Sequence, residues 1–596
     1  MDSLGLHRPR NLDWKRAAAL LYGDWGTSKA YVIGLAFFFA GYASLPIILA
    51  VCALTALVGY NYVIVCKHFP DGGGVYSAAR GQSRLLAAVG ALLLLANFIV
   101  TAALSCWAAV SYFGVPPAQV ASVTILLIFA IGAFNYFGPK HTGSMALSLA
   151  LPMVLVVILI IGMSLPFLST QPLRPPSARF EENWQNFVSV ILALSGVEAI
   201  ANLTGVMKLD PGATLAQPRV GRTARKAILV VAIEVVLGTA LLGWAMLSLP
   251  GTHAPNRWEQ RDYMLRYLAE QFGAILWGGP FGQALGMVVG VVVGLLLLSA
   301  VNTAIAAQIG LMYMLARDGE MPRPFSRLNP HGVPGWPLLV ATTLPVLVVV
   351  FTKDMESLAH LYAIGVVGAI AVNLGSCSFN RQLQLRWHER AIMGITFAIL
   401  SVVELTIAKT NHDALFFATS VLGLGLGLRG YTHRRAGLRT VTVAEELAAQ
   451  VAPEAVPDVQ LNFKPAQTIM VAARGITPVL RFALEEARLR QGRLYVLYVK
   501  ELAVALPGPF QTNEKPRWQD DPQAAKIMGS MLAGGELAKV QVVPVYVVSD
   551  DLATTILDLA ATIGVDILML GSPQRRTLVN LLKGNVVTEV ARNLPE

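Results

Sequence analysis

This sequence has little charge. Only 14% of its 596 residues are charged, against 55% hydrophobic and a mean hydropathy of +0.57. That balance excludes a soluble globular protein and leaves a polytopic membrane protein. Cysteine is also scarce: Cys52, Cys66, Cys106 and Cys377 all fall in apolar runs, with none clustered at ligand spacing. Neither a disulfide framework nor a metal cluster is expected, and the four read as small core residues. A secretory signal is missing too. Met1 to Lys15 carries basic residues but runs into a span too long and too uncleavable for one, so nothing is set aside as a leader. The net charge of +10 would suit nucleic acid, yet the excess sits in short loops between apolar runs, so no nucleic-acid partner is expected.

What is present in quantity is apolar sequence. Runs of about 18 or more mainly apolar residues, as a hydrocarbon core of ~30 Å requires, predict twelve spans. They centre near residues 27, 55, 99, 128, 155, 196, 238, 297, 343, 368, 399 and 420. Basic residues favour every second loop: Arg8, Arg10, Lys15 and Arg16 before span 1, Lys67, Arg80 and Arg84 after span 2, and Lys140 after span 4. Arg219, Arg222, Arg225 and Lys226 follow span 6, Arg317, Arg323 and Arg327 span 8, and Arg381, Arg386 and Arg390 span 10. By the positive-inside rule both termini lie in the cytoplasm.

Two spans are interrupted at mid-membrane, span 1 by Gly23-Asp24-Trp25-Gly26-Thr27-Ser28 and span 6 by Ser195-Gly196-Val197-Glu198 with Asn202 and Thr204. Five spans separate them. Such spacing marks a 5+5 inverted repeat, spans 1 to 5 against 6 to 10, with substrate held where the two discontinuous helices face each other. An intramembrane aspartate costs about 2.5 to 3.5 kcal/mol and is retained mainly where it faces a cavity or partner. Asp24, with carbonyls freed by unwinding at Gly23 and Gly26, is suited to replace the hydration shell of a cation. Capping of the second half-helix is the alternative reading. Tyr31 lies two turns further on. On span 3, Asn97, Thr101 and Ser105 recur every four residues and share one helix face. On span 6, Ser195 and Glu198 are one turn apart, and Glu198 either coordinates or carries a coupled proton. Tyr362 on span 10 is placed to close the cavity. Glu234, His360 and Glu404 lack neighbouring breaks and read as interhelical partners.

After Arg435 the composition changes. The expected division is a transporter domain over 1–435, a linker over 436–463 and a soluble domain over 464–596. In the last, apolar runs at 468–473, 494–499, 540–548 and 565–570 alternate with helical patterns at 477–491, 522–534, 551–562 and 577–592. A parallel α/β sheet with helices on both faces follows.

Pro70-Asp71-Gly72-Gly73-Gly74 after span 2, with the broken first span, resembles the amino acid-polyamine-cation (APC) superfamily. Gly23-Asp24-Trp25-Gly26-Thr27-Ser28 with Tyr31 is similar to the G-D-x-G-T-S-x-x-Y signature of the KUP potassium uptake family, and the cytoplasmic tail resembles its KimA-type members. The resemblance implies potassium import coupled to protons, in a bacterial plasma membrane and as a homodimer. It implies that Asp24, Tyr31, Asn97, Thr101, Ser105, Ser195, Glu198 and Tyr362 stand at that family's cation-site positions. KimA-type members are expected to carry an acid on span 3, where this chain has Asn97. A charge pair at about 4 Å is worth about 4 kcal/mol at an effective dielectric near 20, so cation affinity or selectivity is expected to differ.

The tail is similar to universal stress protein domains, whose G-x-x-G-x9-G-[S/T/N] loop holds phosphates. Gly571, Ser572, Gly584 and Asn585 match it, and Gln574 replaces the second glycine. Arg474 stands where adenosine-binding members usually have an aspartate. The resemblance implies cyclic di-AMP as an inhibitory ligand, with Arg575 and Arg576 pairing with its phosphates. ATP and a purely structural role are the alternatives. For the whole chain, competing readings are an amino-acid or polyamine permease and a nutrient sensor. A substrate carboxylate at the first break would be repelled by Asp24. No enzymatic activity and no resident cofactor are expected.

Overall fold

The computed structural model describes residues 10–72, 74–138, 143–191, 196–214, 217–250, 259–352, 354–435, 467–503, 517–571 and 585–593. Among these, nine helical stretches are long and apolar enough to cross a membrane. The first is three helices end to end: α1 (Trp14–Trp25), α2 (Lys29–Ala40) and α3 (Ser44–His68). The others are α5 (Arg84–Tyr112), α6 (Pro117–Asn135), α7 (Gly143–Ser164), α10 (Gly221–Leu247), α12 (Gly279–Arg317), α14 (Met355–Phe379), α15 (Trp387–Thr410) and α16 (His412–Arg435). The shorter helices among them include α4 (Gly74–Arg80), α8 (Phe180–Val190), α9 (Ala199–Leu203), α11 (Met264–Trp277) and the apolar α13 (Gly335–Phe351).

Helix starts follow local chemistry. Asp13 accepts from the amides of Lys15 and Arg16 at 3.0 Å each, Ser83 from that of Leu86 at 3.3 Å, and Asp354 from that of Ser357 at 2.8 Å. Buried along nearly their whole length, α5 and α14 pack on each other at the centre of the bundle. Leu126, Leu155, Phe351, Leu405 and Phe416 project outward, as expected where the solvent is lipid.

Among the described residues the tail forms a four-stranded parallel sheet, order β3-β2-β1-β4, built from β1 (Thr468–Ala472), β2 (Arg493–Glu501), β3 (Val542–Ser549) and β4 (Ile567–Leu570). Val471 pairs with Val496 on one side and Met569 on the other. Alternate strand residues bury in opposite directions. Ile469, Val471, Leu494 and Val496 face the helices Pro478–Leu489 and Pro522–Ala538, while Met470, Leu497, Val545 and Val547 face Leu552–Ile563 and Val586–Arg592. Pro544 is tolerated because β3 is an edge strand. The amino half of the predicted 577–592 helix lies outside the described residues.

The tail touches the membrane domain at the carboxyl ends of its strands. Ala503 N donates to Gly332 O at 3.1 Å, and Arg474 donates to Pro330 O at 3.0 Å. Leu502 and Val548 are buried in the apolar core of the helical bundle.

Candidate functional site

The break in the first span is a three-residue turn, Gly26 to Ser28, between α1 and α2. Here the backbone bonds close to three residues instead of four, from Ser28 N to Trp25 O at 3.3 Å and from Ala30 N to Thr27 O at 2.9 Å. Hydroxyls take up the released carbonyls: Thr27 Oγ1 donates to Asp24 O at 2.6 Å and Ser28 Oγ to Trp25 O at 2.8 Å. Ser28, not Asp24, is the cap position of α2, and its side chain makes no capping bond. The Asp24 side chain therefore has no capping duty. It is 8% exposed, and the carboxylate accepts no hydrogen bond among the described residues.

Glu198 stands opposite. It closes the Gly196 to Glu198 turn that leads into α9, and is 5% exposed. Both its oxygens are occupied: Asn97 Nδ2 donates to Oε1 at 2.8 Å and the Gly196 amide to Oε2 at 3.1 Å. Asn97 reaches it from α5. Thr101, one turn on, donates back to Asn97 O at 2.8 Å and lies 3.3 Å from Asn97 Oδ1. Gly365 on α14 lets that helix close on α5, since a Cβ there would fall 2.8 Å from Asn97 N. Three residues earlier on α14, the fully buried Tyr362 hydroxyl neighbours Tyr31 and Thr101 without forming a hydrogen bond. Tyr31 is buried beside Thr27, Asp24 and Glu198.

Asp24, Tyr31, Asn97, Thr101, Glu198 and Tyr362 thus meet in one buried cluster contributed by both broken spans, α5 and α14. Ser105 is buried one turn further along the same face of α5. Ser195 lies outside the described residues. Among the described residues, neither carboxylate of the cluster forms an ion pair with a basic side chain. Two acids, an orphaned hydroxyl and no cation of the protein's own are a donor set suited to a desolvated monovalent cation.

Three features escape sequence reasoning. The first is Lys29, fully buried and bound to Glu234 on α10 and Tyr22 on α1. A lysine inside an apolar run was its signal. The second is a link at the tail-bearing end, where Asp318 Oδ2 accepts from Tyr76 OH at 2.7 Å and Arg80 NH1 at 2.9 Å on α4. Two residues on, Glu320 accepts from Arg429 and lies 3.4 Å from His433 Nε2, both on α16. The third is the tail's grip on the Pro330 to Gly332 turn.

Of the tail residues matched to a nucleotide loop, Gly571 follows β4, and Asn585 caps helix Val586–Arg592 by accepting from Val587 N at 3.0 Å. Ser572, Arg575, Arg576 and Gly584 lie outside the described residues. Arg474, at the end of β1, is engaged by Glu501 at 3.2 Å as well as by Pro330.

Comparison with known proteins agrees with this layout. The amino acid permease family matches residues 12–422, and the universal stress protein family matches residues 465–596. The chain is similar to the potassium transporter KimA of Bacillus subtilis (strain 168), at 25% identity over 452 residues, covering 70% of each chain. The permease match and the likeness to a transporter indicate a transporter and not an enzyme. The broken helices around Asp24 and Glu198 are thus those of a chain that belongs to the amino acid permease family and carries a universal stress protein domain at its carboxyl end.

Proposed function

We propose that this protein is a secondary active transporter importing potassium, or a monovalent cation like it, by proton symport. One observation carries the reading: two buried carboxylates, at the junction of two broken helices, without a basic partner among the described residues. A substrate carboxylate would meet Asp24 with like charge, which weighs against amino acids. The likeness to KimA supports potassium.

The two acids divide the work. Asp24, with no donor among the described residues, is the cation's counter-charge, with Tyr31, Thr101, Ser105, Ser195 and Tyr362 completing its oxygen shell. Glu198 takes the coupled proton. Asn97 suits that role because an amide both donates and accepts. Its Nδ2 serves the ionised carboxylate, and after rotation its Oδ1 serves the protonated one, where an aspartate would only repel the first.

Around this centre we read twelve spans with a 5+5 inverted repeat, α1–α2 answering α8–α9. Both termini face the cytoplasm of a bacterial plasma membrane, and the chain is a homodimer. The domain divisions are 1–435, 436–463 and 464–596. The tail is regulatory, binding cyclic di-AMP or ATP through Gly571, Ser572, Arg575, Arg576, Gly584 and Asn585. Its docking through strand carboxyl ends supports this, since ligands of open parallel sheets bind at that edge.

Complementation of a potassium-uptake-deficient bacterium at low potassium tests the reading. The parent should restore growth and rubidium uptake, and Asp24→Asn should not. A parent that fails to rescue while accumulating labelled amino acids or polyamines would overturn it. Calorimetry of the full chain with cyclic di-AMP and with ATP tests the tail, and no heat from either would leave it a scaffold.

A further inference from the structure

Lys29 begins α2 and is 0% exposed, yet no water need surround its charge. Nζ lies 2.6 Å from Glu234 Oε2 and 2.8 Å from Oε1, and donates to the Tyr22 hydroxyl at 3.2 Å. Tyr22 donates in turn to Glu234 Oε1 at 3.0 Å, and its ring centre is 4.8 Å from the ammonium. Three oxygens and an aromatic face, from α1 and α10, enclose one monovalent positive charge. The lysine stem passes Gly238, one turn beyond Glu234, where a Cβ would stand in ordinary contact at 3.6 Å from Lys29 Cε.

The arrangement has the form of an ion site more than of a packing contact. A buried ion pair seldom adds stability over an apolar pair of the same volume, so packing alone does not require one here. Lys29 also precedes Tyr31 by two residues, roughly 200° around the helix. The same half-helix therefore presents Tyr31 to an acidic cluster without a basic partner among the described residues, and Lys29 to an acid on its other side. One acidic site is left for a free cation, and the other is filled by the chain itself.

We propose that Glu234 and Tyr22 form a second monovalent-cation site, and that Lys29 occupies it as a tethered cation. Its ammonium replaces a free ion of similar size and equal charge, and lowers by one the number of ions this broken helix binds. Its meaning for transport rests on the cation reading above, but the site is tested independently of it.

The test counts rubidium bound to the purified full-length protein at alkaline pH, by equilibrium dialysis with a radioactive tracer. Lys29→Met keeps most of the stem and removes the charge. It should bind one more rubidium per chain than the parent, and Lys29→Met/Glu234→Gln should return to the parent's count. Equal counts for the parent and a folded Lys29→Met overturn the proposal. Where Lys29→Met unfolds on purification, recovery in rubidium or potassium but not in N-methylglucamine supports the site, and no recovery in any of them overturns it. A parent that binds no rubidium sinks the transport reading alone, because the difference between variant and parent still decides this one.

Discussion

Gly196 rests directly on the backbone of Trp25, so the two helix breaks touch. A Cβ on Gly196 would fall 2.7 Å from Trp25 Cα and 2.8 Å from the Asp24 carbonyl carbon. Its φ of +92° is also one that side chains rarely adopt. Gly196→Ala should therefore push the broken spans apart at the point where Asp24 and Glu198 approach. Strain at such positions costs about 1 to 3 kcal/mol. The expected result is a lower thermal midpoint of the detergent-solubilised protein and loss of most rubidium uptake. Gly23→Ala, where an added Cβ meets nothing within 4 Å, serves as the control and should alter the midpoint far less.

The Asn97 contact to Glu198 makes a pH prediction. In Asn97→Asp the donor at 2.8 Å becomes a second carboxylate, and two acids that close cannot both ionise without a cation between them. One proton is then retained at low pH and displaced as pH rises or cation binds. Lowering the pH should therefore inhibit uptake by the variant relative to the parent. Rubidium uptake in proteoliposomes across a pH series checks this, and superimposable profiles would remove Asn97 from the coupling step.

How much of this was legible beforehand depends on how rare polar groups are in a membrane chain. Asp24 and Glu198 stood out because burying an acid in lipid is costly, and the four-residue spacing put Asn97 and Thr101 on one face. The partner of Lys29 was not legible, because 205 positions separate it from Glu234 and only packing of α2 on α10 joins them. Three residues shared one reading and met different fates. Glu234 is an interhelical partner. His360 meets the Phe39 ring across helices and Glu356 within its own. The Glu404 Oε2 atom is buried with no hydrogen-bond partner, and Oε1 faces Gly368. The tail's strands were legible to within a few residues from β-branched runs, whereas its seat on the Pro330 to Gly332 turn leaves no local pattern.

Asp318 ties α4, which follows the glycine-rich turn, to the end of α12. Hydrogen bonds to a charged group are worth about 1.5 to 3 kcal/mol, so Asp318→Asn should shift an open–closed equilibrium at this end by roughly ten- to a hundredfold. A cysteine placed at Thr101 reports the change. Its labelling by a membrane-impermeant reagent from the tail side should speed up in Asp318→Asn and not in Asp71→Asn, whose carboxylate is largely exposed.

In the tail, burial alone would raise the Asp521 pKa, but Lys500 at 2.9 Å and the amides of Ala524 and Gln523 outweigh it and hold the group below the usual carboxylate value. A depressed folded-state pKa stabilises above the unfolded value, about 3.9 for Asp, and the contribution disappears as pH falls through the folded value. Helix Pro522–Ala538 should therefore lose amide-exchange protection on acidification below about pH 4 in the parent. Asp521→Asn, which keeps a capping oxygen but no charge, should show less of that dependence. Asp521→Ala should cost about 1 kcal/mol at neutral pH through loss of the cap.

Gly332 decides whether the tail can sit where it does. Its φ is +81°, and a Cβ would fall 2.5 Å from Glu501 O, against the backbone that also sends Ala503 N to Gly332 O. Gly332→Val should therefore release the strand ends without touching the Asp24 cluster, since the turn is also anchored by Asn329 Nδ2 on Tyr136 O and by the His331 ring on Tyr136 and Phe137, at the end of α6. Hydrogen exchange should rise at residues 330–333 and 501–503 and stay unchanged at 97–101. If the tail restrains transport through this turn, Gly332→Val should raise rubidium uptake in cells, and Arg474→Ala, which removes only the Pro330 contact and the Glu501 pair, should raise it less. Unchanged uptake in both variants, with the exchange pattern altered as described, would mean that the tail is docked here without governing the transport cycle.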